Sequence, residues 1–158
     1  MEAHSNWHNR IAKEISLRKD SLSKKDAKKY KLDLLLRVAR RLDDFSSYCG
    51  ECQLFQPEIT KITQALGYIV QVPKQTSKEE RKSYSKTINT IIKHLQKQHK
   101  LVAEGRNIGI WIGIGMGIGT ALGAALDNPG IGTAIGVGIG VAIGRYMDAK
   151  AKQEGRVI

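Results

Sequence analysis

The sequence predicts an all-α protein in two unlike parts, a basic helical bundle followed by a glycine-rich helical hairpin. Three features carry that expectation. Apolar residues recur at intervals of three and four through roughly the first hundred positions, no soluble stretch alternates convincingly as a strand would, and the last third holds two charge-free runs separated by Asp127-Asn128-Pro129-Gly130.

Taken in order, Trp7, Ile11 and Ile15 fall on one face of a short first helix that Ser21 to Lys25 interrupts. A second helix is expected from about Asp26 to Ser46, where Leu35, Val38, Ala39, Leu42 and Phe45 form a stripe opposite Arg37, Arg40 and Arg41. Pro57-Glu58 reads as the first turn of a third helix, continued by Ile59, Ile62, Leu66 and Ile69 and stopped by Val72-Pro73. Ser77-Lys-Glu-Glu80 is a capping box, and Tyr84, Ile88, Ile91, Ile92, Leu95 and Val102 carry a fourth stripe toward Gly105. Four helices with short connections favour an antiparallel bundle over residues 1–105.

Charge adds a statement about partners. Of the 26 Lys and Arg, 22 lie at or before Arg106, against 12 of the 15 Asp and Glu, so this part carries a formal charge of +10. Such an excess favours anionic surfaces of either kind, lipid headgroups among them; nucleic acid is disfavoured on the separate ground that no aromatics interleave with Lys24-Lys25 or Lys28-Lys29. The N-terminal twenty residues lack the apolar run of a secretory signal, which places the body in the cytoplasm.

The run from Ile108 to Leu126 is 19 residues without a charge, enough at ~1.5 Å per residue to approach the ~30 Å of a hydrocarbon core. The second run, Ile131 to Ile143, has only 13, extended when Arg145 snorkels to the headgroups. The expected unit is therefore a transmembrane hairpin over 106–147, with spans of about 107–126 and 130–147, a turn at 127–129, and a basic tail at 148–158. Arg106 anchors one end and Arg145 the other; with no cation in the turn, both termini are expected in the cytoplasm.

Glycines in this unit recur at fourth positions: Gly109, Gly113 and Gly117, offset from Gly115, Gly119 and Gly123 in the first span, then Gly132, Gly136, Gly140 and Gly144 in the second. Rows of this kind let helix backbones approach closely, which supplies packing where lipid removes the hydrophobic drive. Gly117-Ile-Gly-Thr-Ala-Leu-Gly123 also echoes as Gly130-Ile-Gly-Thr-Ala-Ile-Gly136. Ile and Gly alternate from Ile108 to Gly119, a period that a strand would also satisfy, but isolated strands in lipid leave their edges unpaired. Residues 107–144 resemble the prokaryotic glycine-zipper hairpin membrane proteins, and the resemblance implies a packed membrane hairpin with no particular activity.

One constellation carries chemistry. Cys49-Gly-Glu-Cys52 sits in the break before the third helix, with Gly50 free to turn both sulfurs toward one ion as in a zinc knuckle, and His94 and His99 add two nitrogen donors. The 41 residues between Cys52 and His94 exclude a DNA-binding finger. An i,i+5 pair stands about 140° apart on an ideal helix, so both histidines reach one ion only if the helix loosens there. His4 and His8, expected at the same pole, are substitutes. A thioredoxin-like role is disfavoured because the chain lacks the sheet that motif adjoins.

With no P-loop, dinucleotide fingerprint or nucleophile elbow, the sequence points to a non-enzymatic membrane-anchored scaffold. It assembles with copies of itself or with a membrane partner through the hairpin, and a structural zinc ion staples the body. A pore-forming effector and a metal- or thiol-dependent enzyme are the competing readings.

Overall fold

The computed structural model describes residues 2–71 and 77–158, with side chains described for 6–67 and 77–158. The chain divides into two compact units, Met1–His99 and Lys100–Ile158. Every element in both is helical apart from one isolated bridge among the described residues.

The first unit contains α1 (Glu2–Ser21), α2 (Lys24–Lys29), α3 (Leu32–Ser46), α4 (Gly50–Gln71) and α5 (Lys78–Gln98). Its core is the set of stripes read from the sequence: Ile11 and Ile15 of α1, Leu35, Val38, Ala39 and Leu42 of α3, Ile59 and Leu66 of α4, and Ile91 and Leu95 of α5 are fully buried. The Lys19–Asp33 ion pair brings the end of α1 to the start of α3. At the same level the Tyr84 hydroxyl, near the start of α5, donates to the Tyr30 carbonyl at 2.5 Å. The capping box forms as expected: Ser77 Oγ accepts from the Glu80 N–H and the Glu80 carboxylate accepts from the Ser77 N–H.

Two boundaries differ from the sequence reading. The helix expected from Asp26 to Ser46 is broken at Lys31, which adopts left-handed φ 51° and leaves α2 as a six-residue helix with nothing buried. Pro57 does not begin a helix; it lies inside α4. The stripe explains why: Cys52, Phe55, Ile59, Ile62 and Leu66 keep a three-four spacing across the proline, whose exposed ring faces water, so burial offsets the ~3 kcal/mol an interior proline costs. The Ile69 side chain and the stop expected at Val72-Pro73 lie outside the described residues.

The second unit is α6 (Arg106–Ala125) and α7 (Pro129–Gln153), both long and apolar enough to cross a membrane. The period-two reading of the Ile-Gly run is not realised, and α7 runs 25 residues, past the expected end of the second span. Between the helices, Asp127 at φ 55° lets the Asn128 N–H donate to the Gly123 carbonyl and the Asp127 N–H to the Ala124 carbonyl, a Schellman closure. Asn128 then caps α7 by accepting from the Ile131 N–H, with Pro129 at its first position.

The glycines meet within the chain. A Cβ at Gly119 would stand 2.9 Å from the Gly136 Cα, and one at Gly123 2.9 Å from the Gly132 Cα, so methyl groups there have no room. Gly115 faces Gly136 and Gly140, while Gly144 faces Ile108. Gly109, Gly113 and Gly117 meet nothing, forming a second row that points away from α7. The echoed threonines face each other across the hairpin, Thr120 Oγ1 to Thr133 Oγ1 at 2.7 Å.

Residues 148–158 are not a free tail. Asp148 accepts from the Asn107 and Ile108 N–H groups at 3.2 Å each, capping the start of α6 from the far helix. Gly155, at φ 66°, closes α7 with a second Schellman turn, after which Val157 bridges Val102 and the Ile158 N–H donates to the Val102 carbonyl at 3.0 Å. Val102 therefore belongs to this unit rather than to the fourth stripe, because Lys100 at φ 56° has already ended the helix.

Candidate metal centre

Four side chains distant in sequence converge at one end of α4 and α5. Cys49 immediately precedes α4, and the Gln53 N–H donates to its carbonyl at 3.2 Å, closing the first turn. Cys52 lies three residues on, within that turn, so helical geometry alone turns both sulfurs the same way. Gly50 is not needed for a special conformation: its φ is not positive and a Cβ there would meet nothing. His94 belongs to the last turn of α5, whereas His99 is its C-cap at φ −104° and ψ 7°. The helix runs up to His99, whose N–H still donates to the Leu95 carbonyl at 3.1 Å, and the departure from helical dihedrals falls at His99 itself.

The resulting distances are those of a coordination shell. His94 Nε2 stands 3.4 Å from Cys49 Sγ and 3.4 Å from Cys52 Sγ, and His99 Nε2 is 3.3 Å from Cys52 Sγ. All four donor atoms lie within 4.8 Å of one another. Around a tetrahedral ion with bonds of ~2.3 Å to sulfur and ~2.0–2.1 Å to nitrogen, neighbouring sulfur and nitrogen ligands sit about 3.5 Å apart. The cluster could bind a metal ion with little rearrangement.

Its surroundings set the protonation states. His94 Nδ1 donates to Glu51 Oε2 at 2.5 Å, which holds the ring with Nε2 facing both sulfurs. Phe45 stacks on the His99 ring at 3.9 Å and 4°, and Phe55 meets the His94 ring edge-on at 5.4 Å, so both imidazoles are held by aromatic walls. Burial, with the adjacent Cys49 adding to it, pushes the Cys52 thiol up to about 12. Burial, helped by the neighbouring His94, lowers His99, which stays neutral with a lone pair to give. Without an ion Cys52 is a protonated thiol; a divalent cation reverses that preference and expels the proton.

Cys49, Cys52, His94 and His99 are the residues read from the sequence, and the fold brings them together. His8 is not among them. The Trp7 indole N–H donates to Thr60 Oγ1 at 3.2 Å, which fixes this part of α1 eight residues, about 12 Å, along α4 from Cys52. The His4 side chain lies outside the described residues. Glu51, Phe45 and Phe55 were missed as parts of the site. Glu51 alone left a signal, a carboxylate inside the Cys-x-x-Cys spacing.

Two sulfurs and two nitrogens complete a four-ligand shell, and the nearby carboxylate is engaged by His94. The arrangement suits holding a soft or borderline ion in place rather than presenting an open coordination position. No family model matches this chain, and no curated protein or solved structure matches it either.

Proposed function

We propose that this chain is a non-enzymatic, membrane-anchored scaffold whose second unit sits in the bilayer and whose first unit is an antiparallel helical bundle closed by a structural zinc ion. The observation that carries the reading is the inverted surface of the second unit. Among its described residues those buried in α6 are Gly119 and Gly123, and those buried within the apolar run of α7 are Gly136, Gly140 and Gly144, whereas Ile118 and Ile135 are 58% and 59% exposed. A helix in the core of a water-soluble protein hides its large aliphatic side chains; here the most apolar windows are only 11% and 17% buried. Lipid is the solvent in which such a surface costs nothing.

Arg106 and Arg145 flank the spans with Lys150 and Lys152 beyond, and no cation lies in the turn, so both termini face the cytoplasm. The outward row of Gly109, Gly113 and Gly117 is the surface through which copies, or a partner helix, would pack. A conduit is the weaker reading, because the polar side chains of the two apolar runs, Thr120 and Thr133, lie near the turn and have hydrogen-bond partners in each other or in the carbonyls of Met116 and Pro129. Zinc fits two cysteines and two histidines better than hard cations do, and its closed shell argues against catalysis.

Alkaline washing of membranes from cells expressing the full chain tests the central part. The protein is expected to stay with the lipid and to carry one zinc per chain after detergent extraction. Recovery in the aqueous fraction would end the membrane reading, and absence of metal would end the staple.

A further inference from the structure

The end of the first unit away from the cysteines holds a feature that neither the scaffold nor the staple uses. Where α1 ends, α2 passes and α3 begins, the surface sinks into an open basin of about 730 Å³, within the ~300–1,000 Å³ range of small-molecule sites. Five cationic side chains line it, Lys19, Lys24, Lys28, Lys31 and Arg37, against two carboxylates, Asp20 and Asp33. One cation and one carboxylate are committed to each other, since Lys19 Nζ bonds Asp33 Oδ1 at 2.7 Å. Lys24, Lys28 and Lys31 form no ion pair among the described residues.

Packing does not account for this arrangement. The helix α2 buries none of its residues, so the core gains little from it, yet its i,i+4 pair Lys24 and Lys28 shares one face turned to the basin. Lys29 is spent elsewhere, 5.6 Å above the Tyr30 ring. The third lysine, Lys31, sits at the left-handed joint between α2 and α3, which brings it to the same concavity. Like charges gathered around a concavity repel one another, and an anion in the basin would relieve that repulsion.

We infer that the basin binds a multiply charged phosphate anion, supplied either by a lipid headgroup or by a free polyphosphate. Ammonium groups on flexible stems suit phosphate as point charges, and several converging on one cavity favour two or more phosphates over a single carboxylate. The basin lies wholly within the first unit, so this inference stands whether or not the second unit spans a bilayer.

Titration of the full chain, held in phosphatidylcholine discs, with inorganic tripolyphosphate tests it. Saturable binding is expected, weakened about tenfold or more in Lys24→Gln/Lys28→Gln. It should be unchanged in Lys78→Gln/Lys82→Gln, which removes the same charge from exposed sites on α5 outside the basin. Ala27→Glu, which puts a carboxylate on the basin wall, should weaken binding as well and guards against misfolding of the double variant. Discs doped with phosphatidylinositol phosphate separate the sources: a headgroup ligand blocks the titration in the wild type, and a free ligand leaves it intact, either result supporting the site. Absence of saturable binding, or equal losses in the α2 and α5 variants, overturns the inference.

Discussion

The two units close on themselves by opposite means. In the first, large side chains fill the interior and four heteroatoms gather where α4 begins and α5 ends; in the second, side chains are absent where the helices touch, and backbone meets backbone at Gly115, Gly119, Gly132 and Gly136. The difference teaches where each can fail. On the proposed reading, a unit stapled by an ion would respond to chelation and tolerate many core changes, because apolar cores accept volume-conserving swaps. A unit closed by missing atoms is indifferent to chelators and intolerant of a single methyl.

Substitutions can break that contrast, and the largest effect is expected at the sulfurs. Cys52→Ser should abolish stoichiometric metal, read by elemental analysis. A loss of even ~2 kcal/mol should lower the melting temperature of the first unit by roughly 8–16 °C. Next, Gly136→Leu should open the hairpin, since the atoms it meets are backbone and cannot give way; the cost exceeds the ~1–3 kcal/mol of ordinary overpacking. Loss of crosslinking between Thr120→Cys and Thr133→Cys, in a background lacking Cys49 and Cys52, reads it out. Gly117→Leu, on the open row, should leave that crosslink intact and disturb only contacts between chains.

Finer changes sharpen the contrast. Glu51→Gln should keep the metal stoichiometry while weakening affinity by ~10–100-fold in a competition titration, because His94 loses the carboxylate that fixes its ring. Asp148→Asn is the smallest: loss of about 1 kcal/mol of capping should speed amide exchange at Asn107 and Ile108 roughly fivefold, with no effect on metal.

What could be read from the sequence was local or periodic. The stripe Leu35, Val38, Ala39, Leu42 appears as a buried face, the Ser77 to Glu80 box as a cap, and the rows through Gly119 and Gly136, though not the one through Gly113, as contact lines, since each is written in spacing that helix geometry converts directly into a face. The four clustered side chains were legible by residue type despite their separation, because a Cys-x-x-Cys pair and two histidines are the donor types a soft or borderline ion takes. What escaped notice has no local mark. Lys31 breaks a helix without being glycine or proline, and its left-handed φ is set by how α2 meets α3. Pro57 sits inside α4 because tertiary burial overrides its cost. The Asp148 cap and the bridge of Val102 to Val157 join residues forty or more positions apart, and pairings that depend on the folded hairpin leave no pattern along the chain. His8 misled for a related reason: the expected topology gave the correct end of the molecule but not the axial offset that Trp7 and Thr60 impose.

Hydrogen exchange of the full chain in mild detergent, with and without a zinc chelator, bears most directly on closure by two independent means. Metal removal should speed exchange around Cys49 to Phe55 and Ile91 to His99 and leave residues 108–144 as protected as before. Unchanged protection in the first unit, or loss of protection in both units together, would contradict it.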